Sequence, residues 1–317
     1  VAAAALRMAG VSDYTFDWEE VYHQARRRRQ HDLSQARHKV SQRSLLAVLP
    51  PGGQADLRSA GGPGAGGFLE PQLTSERMSD MHLRTALRRR LRLPCPGFDV
   101  SLNTSAPSTH CHHRNADTGD ICGRSLVDGT HDPARCDRGG TVLRFHHLLR
   151  DLLSDWMAKH TGAPTAVEQL VPAWTRLKPP SARFPQGRVE EARLDISGFV
   201  SGRRTYVDVG YRSAASNNEE ELQRRAFEDG LAAANYVAEK RRRYPPQANP
   251  GEGMVPFILE TLGRPSPEAV SFLRALAPAD SAKRSAVLSA AWQSISINTQ
   301  TRMAELLISA ELPRPPK

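Results

Sequence analysis

"EARLDISGFVSGRRTYVDVGYRS" (191–213) is two apolar-alternating runs joined by Ser201-Gly202. Each run carries one aspartate, Asp195 in the first and Asp208 in the second, with twelve residues between them. A two-residue hairpin turn at Ser201-Gly202 sets Val200 opposite Arg203, and the same register carried back along both runs sets Asp195 opposite Asp208. Leu194, Ile196, Val207 and Val209 then share one face, and the aspartates share the other with Ser197 and Gly210. Cβ atoms paired in this way lie roughly 4.5–5.5 Å apart, where like charges repel. A divalent cation between the carboxylates removes the repulsion, and Mg²⁺ takes carboxylate oxygens and water. The competing reading is a solvated hairpin face with two unrelated acids. A slip of one residue would carry one acid to the wrong face.

Working outward, helical patterns flank the hairpin. "TVLRFHHLLRDLLSDWMAKH" (141–160) puts Leu149, Leu152, Leu153 and Trp156 on one stripe. "AVEQLVPAW" (166–174) reads as a strand. The acidic start and basic end of "NNEEELQRRAFEDGLAAANYVAEKRRRY" (217–244) complement the dipole of one long helix. "MVPFILETLG" (254–263) reads as a buried strand, "SPEAVSFLRAL" (266–276) as a helix opened by Ser-Pro, and 280–309 as the last helix. The order α-β-β-β-α-β-α-α predicts an α/β sandwich with a small mixed sheet. Upstream, residues 17–49 read as helix. "PPGGQADLRSAGGPGAGGF" (50–68) reads as a loop too rich in Gly and Pro for helix or strand. A short helix over 79–94 aligns Leu83, Leu87 and Leu91 and ends at Pro94. Three segments result: a leader over 1–94, a Cys/His segment over 95–140 and the main α/β unit over 141–317.

The chain has 317 residues with 43 Lys and Arg against 34 Asp and Glu, a net charge of +9. A basic balance suits a polyanionic partner. The runs Arg26–Arg29, Arg88–Arg90 and Lys240–Arg243 suit phosphate contact without sequence preference. No apolar run approaches a membrane span, and no signal peptide is visible, so no membrane partner is expected. The chain reads as a piece of something longer. Cys111, Cys122 and Cys136 lie within 26 residues beside several histidines. Without a secretory signal, metal ligation explains them better than disulfides do. The segment has little apolar material, so a bound metal would supply the missing folding free energy.

An Asp, twelve residues and a second Asp on adjacent strands after one helix resembles the PD-(D/E)XK restriction-like endonuclease fold. More narrowly, the chain resembles the C-terminal region of site-specific non-LTR retrotransposon polyproteins, over residues from about 55 to 310. In that family a Cys-Cys-His-Cys zinc motif precedes the nuclease. "CHHRNADTGDICGRSLVDGTHDPARC" (111–136) supplies Cys122, His131 and Cys136 with the spacing C-x8-H-x4-C. Cys111 comes ahead of a wider gap than the family shows, so His110, His112 and His113 stay open as alternatives for the first ligand. "RFHHLLRD" (144–151) fills the place of the family's Arg-His-Asn, with His146 matching the His and His147 replacing the Asn. Leu194-Asp195 stands where the family has Pro-Asp. The residues after Asp208 are Val209 and Gly210, so the usual lysine is absent there. "KRRRYPP" (240–246) offers Lys240 as a relocated lysine, and Arg243 beside Tyr244.

The resemblance implies a DNA endonuclease that nicks its target to prime reverse transcription. Asp195 and Asp208 would hold catalytic Mg²⁺, and Cys111, Cys122, His131 and Cys136 would hold structural Zn²⁺. Glu168 is a candidate third carboxylate. Lys240 would orient the attacking water or stabilise leaving charge, and His146 is a candidate catalytic residue. Arg144, His147, Arg243 and Tyr244 are candidate nucleic-acid contacts. DNA and the element's RNA would be partners, with a reverse transcriptase domain upstream in the same polyprotein and a nuclear location. The rival reading is a non-catalytic zinc-containing nucleic-acid-binding module with a degenerate nuclease.

Overall fold

A computed structural model describes residues 26–70, 77–93, 110–115, 118–124, 136, 138, 142–180 and 184–311. Helices α1 (Arg26–Val48), α2 (Pro51–Ser59) and α3 (Asp80–Arg90) lead into α4 (Val142–Thr161). Strand β1 (Ala166–Leu170) follows, then a short hairpin of β2 (Arg176–Lys178) and β3 (Arg188–Glu190). The quoted stretch forms β4 (Arg193–Val200) and β5 (Arg203–Arg212). Helices α5 (Glu219–Phe227) and α6 (Leu231–Arg243) cross over to β6 (Gly253–Glu260), and α7 (Pro267–Leu276) and α8 (Ser281–Glu311) close the chain. The main sheet runs β1-β4-β5-β6, antiparallel except for the parallel pair β5-β6. The small mixed sheet expected from the element order is present. The β2-β3 hairpin is an addition to that order.

The turn works as the sequence suggests. Ser201 and Gly202 both have positive φ, 50° and 76°, as a two-residue turn of the primed type requires. The register runs from Val200↔Arg203 to Ile196↔Val207 and then parts at the aspartates. That parting overturns one expectation. Leu194 does not share the core face with Ile196; it packs with Tyr206, Trp174 and Tyr244. Val209 N–H donates to the Asp195 carboxylate at 2.6 Å, so a side chain takes the place of a ladder acceptor. Pro256 lies opposite Asp208 on β6, an edge strand, where a residue without N–H is tolerated.

The main core fills one face of the sheet. Leu149, Leu153 and Met157 of α4 meet Ile196, Val207, Val209, Phe257 and Leu259, and α7 and α8 add Phe272, Leu273 and Ile295. Each such side chain contributes about 1.5–3 kcal/mol when fully buried. The other face takes α6, whose Ala233 and Val237 pack on Ile258. The expected single helix over 217–244 is two helices. Glu228 is extended and Gly230 has φ 74°, a left-handed conformation that stops the first helix and lets the second start at a new angle.

The stretch expected to be a loop, 50–68, carries α2. Pro51 occupies the first turn, where its missing N–H costs nothing, and Ala55 and Ser59 are buried. Arg58 Nε donates to Ala226 O at 2.7 Å, tying α2 to the end of α5. Its glycines serve close approach: a Cβ on Gly64 would stand 2.6 Å from Trp292 Cβ. On α3, Leu83 and Leu87 pack with Phe68, Met78 and Ile297, so α3 and Phe68 share α8's packing surface. Leu91 lies past the helix and is exposed.

Candidate active site

Asp195 and Asp208 are both buried, at 6% and 4% exposure, and their carboxyls adjoin. Each is held by a side chain from a different helix. His146 on α4 brings Nε2 to 2.7 Å from Asp195 Oδ1, while Val209 N–H holds Oδ2. Lys240 on α6 places Nζ 3.0 Å from Asp208 Oδ1 and 2.8 Å from Oδ2. The sheet sits between α4 and α6, so both helices reach the point where β4 and β5 part.

Electrostatics separates the two acids. Burial pushes the Asp208 carboxyl up to about 6, against the pull of Lys240 and with the repulsion of Asp195. Asp195 is buried too, yet the His146 contact holds it below the usual carboxylate value. Burial works against a charged His146, but Asp195 raises it overall. Lys240 is likewise raised by Asp208 despite burial. The cluster therefore joins a carboxyl that titrates at about 6 to one held below the usual carboxylate range.

The other expected residues fall elsewhere. Glu168 does not join the aspartates: it is exposed and its carboxylate pairs with Arg150 at 2.7 Å. It has φ 52°, the same place where the β1-β4 ladder skips a pair. His147 sets its ring 5.8 Å from that of His146, edge on. Arg243 donates to Trp174 O at 2.7 Å. Tyr244 is only 8% exposed, its ring packed in the cluster of Trp174, Leu194 and Tyr206. The side chain of Arg144 and the whole of His131 lie outside the described residues.

The cysteines form a second candidate site. Residues 111–115 and 120–124 pair as a hairpin, with Cys111 N–H donating to Arg124 O and Cys122 N–H to His113 O. The wide gap between the two cysteines is thus taken up by a turn that brings them together. Cys111, Cys122 and Cys136 have sulfurs within 4.8 Å of one another and can hold a metal ion. Cys111 and Cys136 are fully buried. The Cys136 contact and burial raise the Cys111 thiol, the penalty a bound cation would reverse. His113 Nε2 lies 3.2 Å from Leu306 O and docks this hairpin on α8.

Sequence reading missed the β2-β3 hairpin. "RLKPPSARFPQGRVE" (176–190) did carry a signal, two short runs around Pro and Gly turn markers. No described helix is long and apolar enough to cross a membrane. Scanned against protein-family models the chain finds no match, and a search of curated proteins finds none either.

Proposed function

We propose that the chain is a metal-dependent phosphodiesterase, and within that class the DNA endonuclease region of a site-specific non-LTR retrotransposon polyprotein, with a structural zinc beside it. One observation carries the reading: two adjoining buried carboxylates on neighbouring strands with the Lys240 ammonium 2.8 Å from Asp208. The donor set fits a hard divalent ion. Asp208 Oδ2, though within ion-pair distance of Lys240, receives no hydrogen bond of good geometry. Two carboxylates with remaining sites for water are what Mg²⁺ takes. When bound it would stabilise charge on the phosphoryl oxygens.

The chain's own residues do the rest. His146 and Val209 fix both oxygens of Asp195, so the acid presents one geometry. Lys240 draws Asp208 toward its ionised form against the pull of burial, and offers a positive charge to a leaving or attacking oxygen. Three thiols suit zinc among the metals they could hold, with one further ligand completing a tetrahedron. Target nicking to prime reverse transcription follows from the family resemblance.

The test is supercoiled plasmid with Mg²⁺ or Mn²⁺, beside an Asp208→Ala variant. Nicking by the parent alone supports the enzyme. Plasmid retained in a gel without nicking favours the non-catalytic binding module.

A further inference from the structure

The β2-β3 hairpin and the last turn of α6 face each other across a cleft of about 550 Å³. The hairpin register pairs Arg176 with Glu190, Leu177 with Val189 and Lys178 with Arg188. Alternation gives this arm two faces. One brings Arg176, Lys178 and Glu190 to the cleft, and the other turns Leu177 and Val189 to solvent. The helix wall supplies Lys240, Arg242 and Arg243.

Glu190 sits between the walls. Arg176 Nε and Lys178 Nζ each lie 2.8 Å from its carboxylate, and an Arg243 guanidinium nitrogen lies 3.4 Å away. Lys178 foremost, then Arg176 and Arg243, hold its carboxyl down to about 2. Three cations gathered on one carboxylate form a donor set that suits a phosphate equally well. Glu239, also on the cleft, is already paired with Arg212 at 2.8 Å, so the cleft keeps an excess of positive charge. Arg176 and Lys178 are half-exposed and can swing, whereas Arg243 is anchored on Trp174. Lys240 lines the cleft and also holds Asp208, so a strand lying in the cleft reaches the two acids. Of the described lining only Tyr244 is aromatic, and at 8% exposure it offers little ring face for a base to stack on. Phosphate contacts without a stacking platform suit a duplex better than a single strand.

We infer that this cleft is a backbone channel for duplex DNA, in which Arg176 and Lys178 grip phosphates beside the bond to be cut and Glu190 is the built-in counter-anion they leave as phosphate arrives. The direction of the strand rests on the nuclease reading above; the binding does not.

The experiment is fluorescence anisotropy of a short labelled mixed-sequence duplex with the full chain and no added divalent ion, across a salt series. The double variant Arg176→Ala/Lys178→Ala should weaken binding about tenfold and flatten the slope of log K against log salt by about 2, since each phosphate contact contributes about 0.9. Glu190→Gln should tighten binding about threefold by removing the competing anion. Arg284→Ala, on α8 against the opposite sheet face, should change neither quantity. Unchanged affinity and slope in the double variant overturns the channel. Weaker binding by Glu190→Gln also overturns it, by marking the carboxylate as a strut. So does a loss confined to single-stranded RNA. Binding is scored without cleavage, so an inactive nuclease and a failed channel give different results.

Discussion

Replacing Lys240 with methionine tests the electrostatics of the site. The substitution keeps most of the side-chain volume and removes only the ammonium that lies 2.8 Å from Asp208. Two adjoining buried carboxyls would then face each other with His146 as the remaining side-chain partner. Breaking a fully buried ion pair costs about 3–5 kcal/mol. The Lys240 side chain is 18% exposed, so solvent recovers part of that, leaving about 2–3 kcal/mol at pH 8. The cost depends on pH with a definite sign. The folded Asp208 titrates at about 6, above its unfolded value, so the stability it contributes is complete at low pH and is lost as pH rises through that value. At pH 5 its carboxyl is largely protonated before Lys240 is removed, and the variant should lose less than about 1 kcal/mol there. Lys240 itself stays charged over this range, because its folded value is raised. Urea unfolding of parent and variant at pH 5 and pH 8, without divalent ions, reads the difference directly. Equal losses at both values, or a larger loss at pH 5, would refute the reasoning.

Other perturbations address the frame around the site. A Cβ on Gly210 would stand 2.5 Å from Tyr236 Cε1, so Gly210→Ala should destabilise by about 1–3 kcal/mol and displace α6, lowering nicking with it; urea midpoints and plasmid assays check both. On the zinc reading proposed above, Cys136→Ser should lower the bound metal read by elemental analysis and lower the melting temperature. Ser266 caps α7 by accepting from Ala269 N–H at 3.2 Å, and Ser266→Ala should cost about 0.5–2 kcal/mol in chemical unfolding.

The hairpin register was legible because a two-residue turn propagates along both strands, and nothing nonlocal is needed to set Ile196 opposite Val207; the direct pairing of Asp195 with Asp208 was not, because the ladder parts there. Helix starts at Ser79 and Ser266 were legible for a similar reason: each cap accepts from an N–H three residues on. Leu194 was misplaced because strict alternation fails where Asp195 captures Val209 N–H and the ladder opens. The helix over Pro51–Ser59 was hidden by its glycines and proline, whose propensity cost is offset by packing on α5. Glu168 was drawn toward the acids by its place on β1, but Arg150 on the neighbouring helix claims it.

By itself the sequence determined the hairpin, its turn and its register as far as Ile196↔Val207, the helical stripe of α4 and the start of α7. Those are consequences of backbone periodicity and turn stereochemistry, which act over a few residues. Only the tertiary structure decided which cations meet the acids. His146 lies 49 positions from Asp195 and Lys240 lies 32 from Asp208, and they converge because α4 and α6 cover opposite faces of one sheet where β4 and β5 part. The same holds for the three thiols: Cys136 comes from outside the 111–124 hairpin, yet its sulfur lies within 4.8 Å of the other two. Such meetings depend on packing between elements, and no local pattern encodes it.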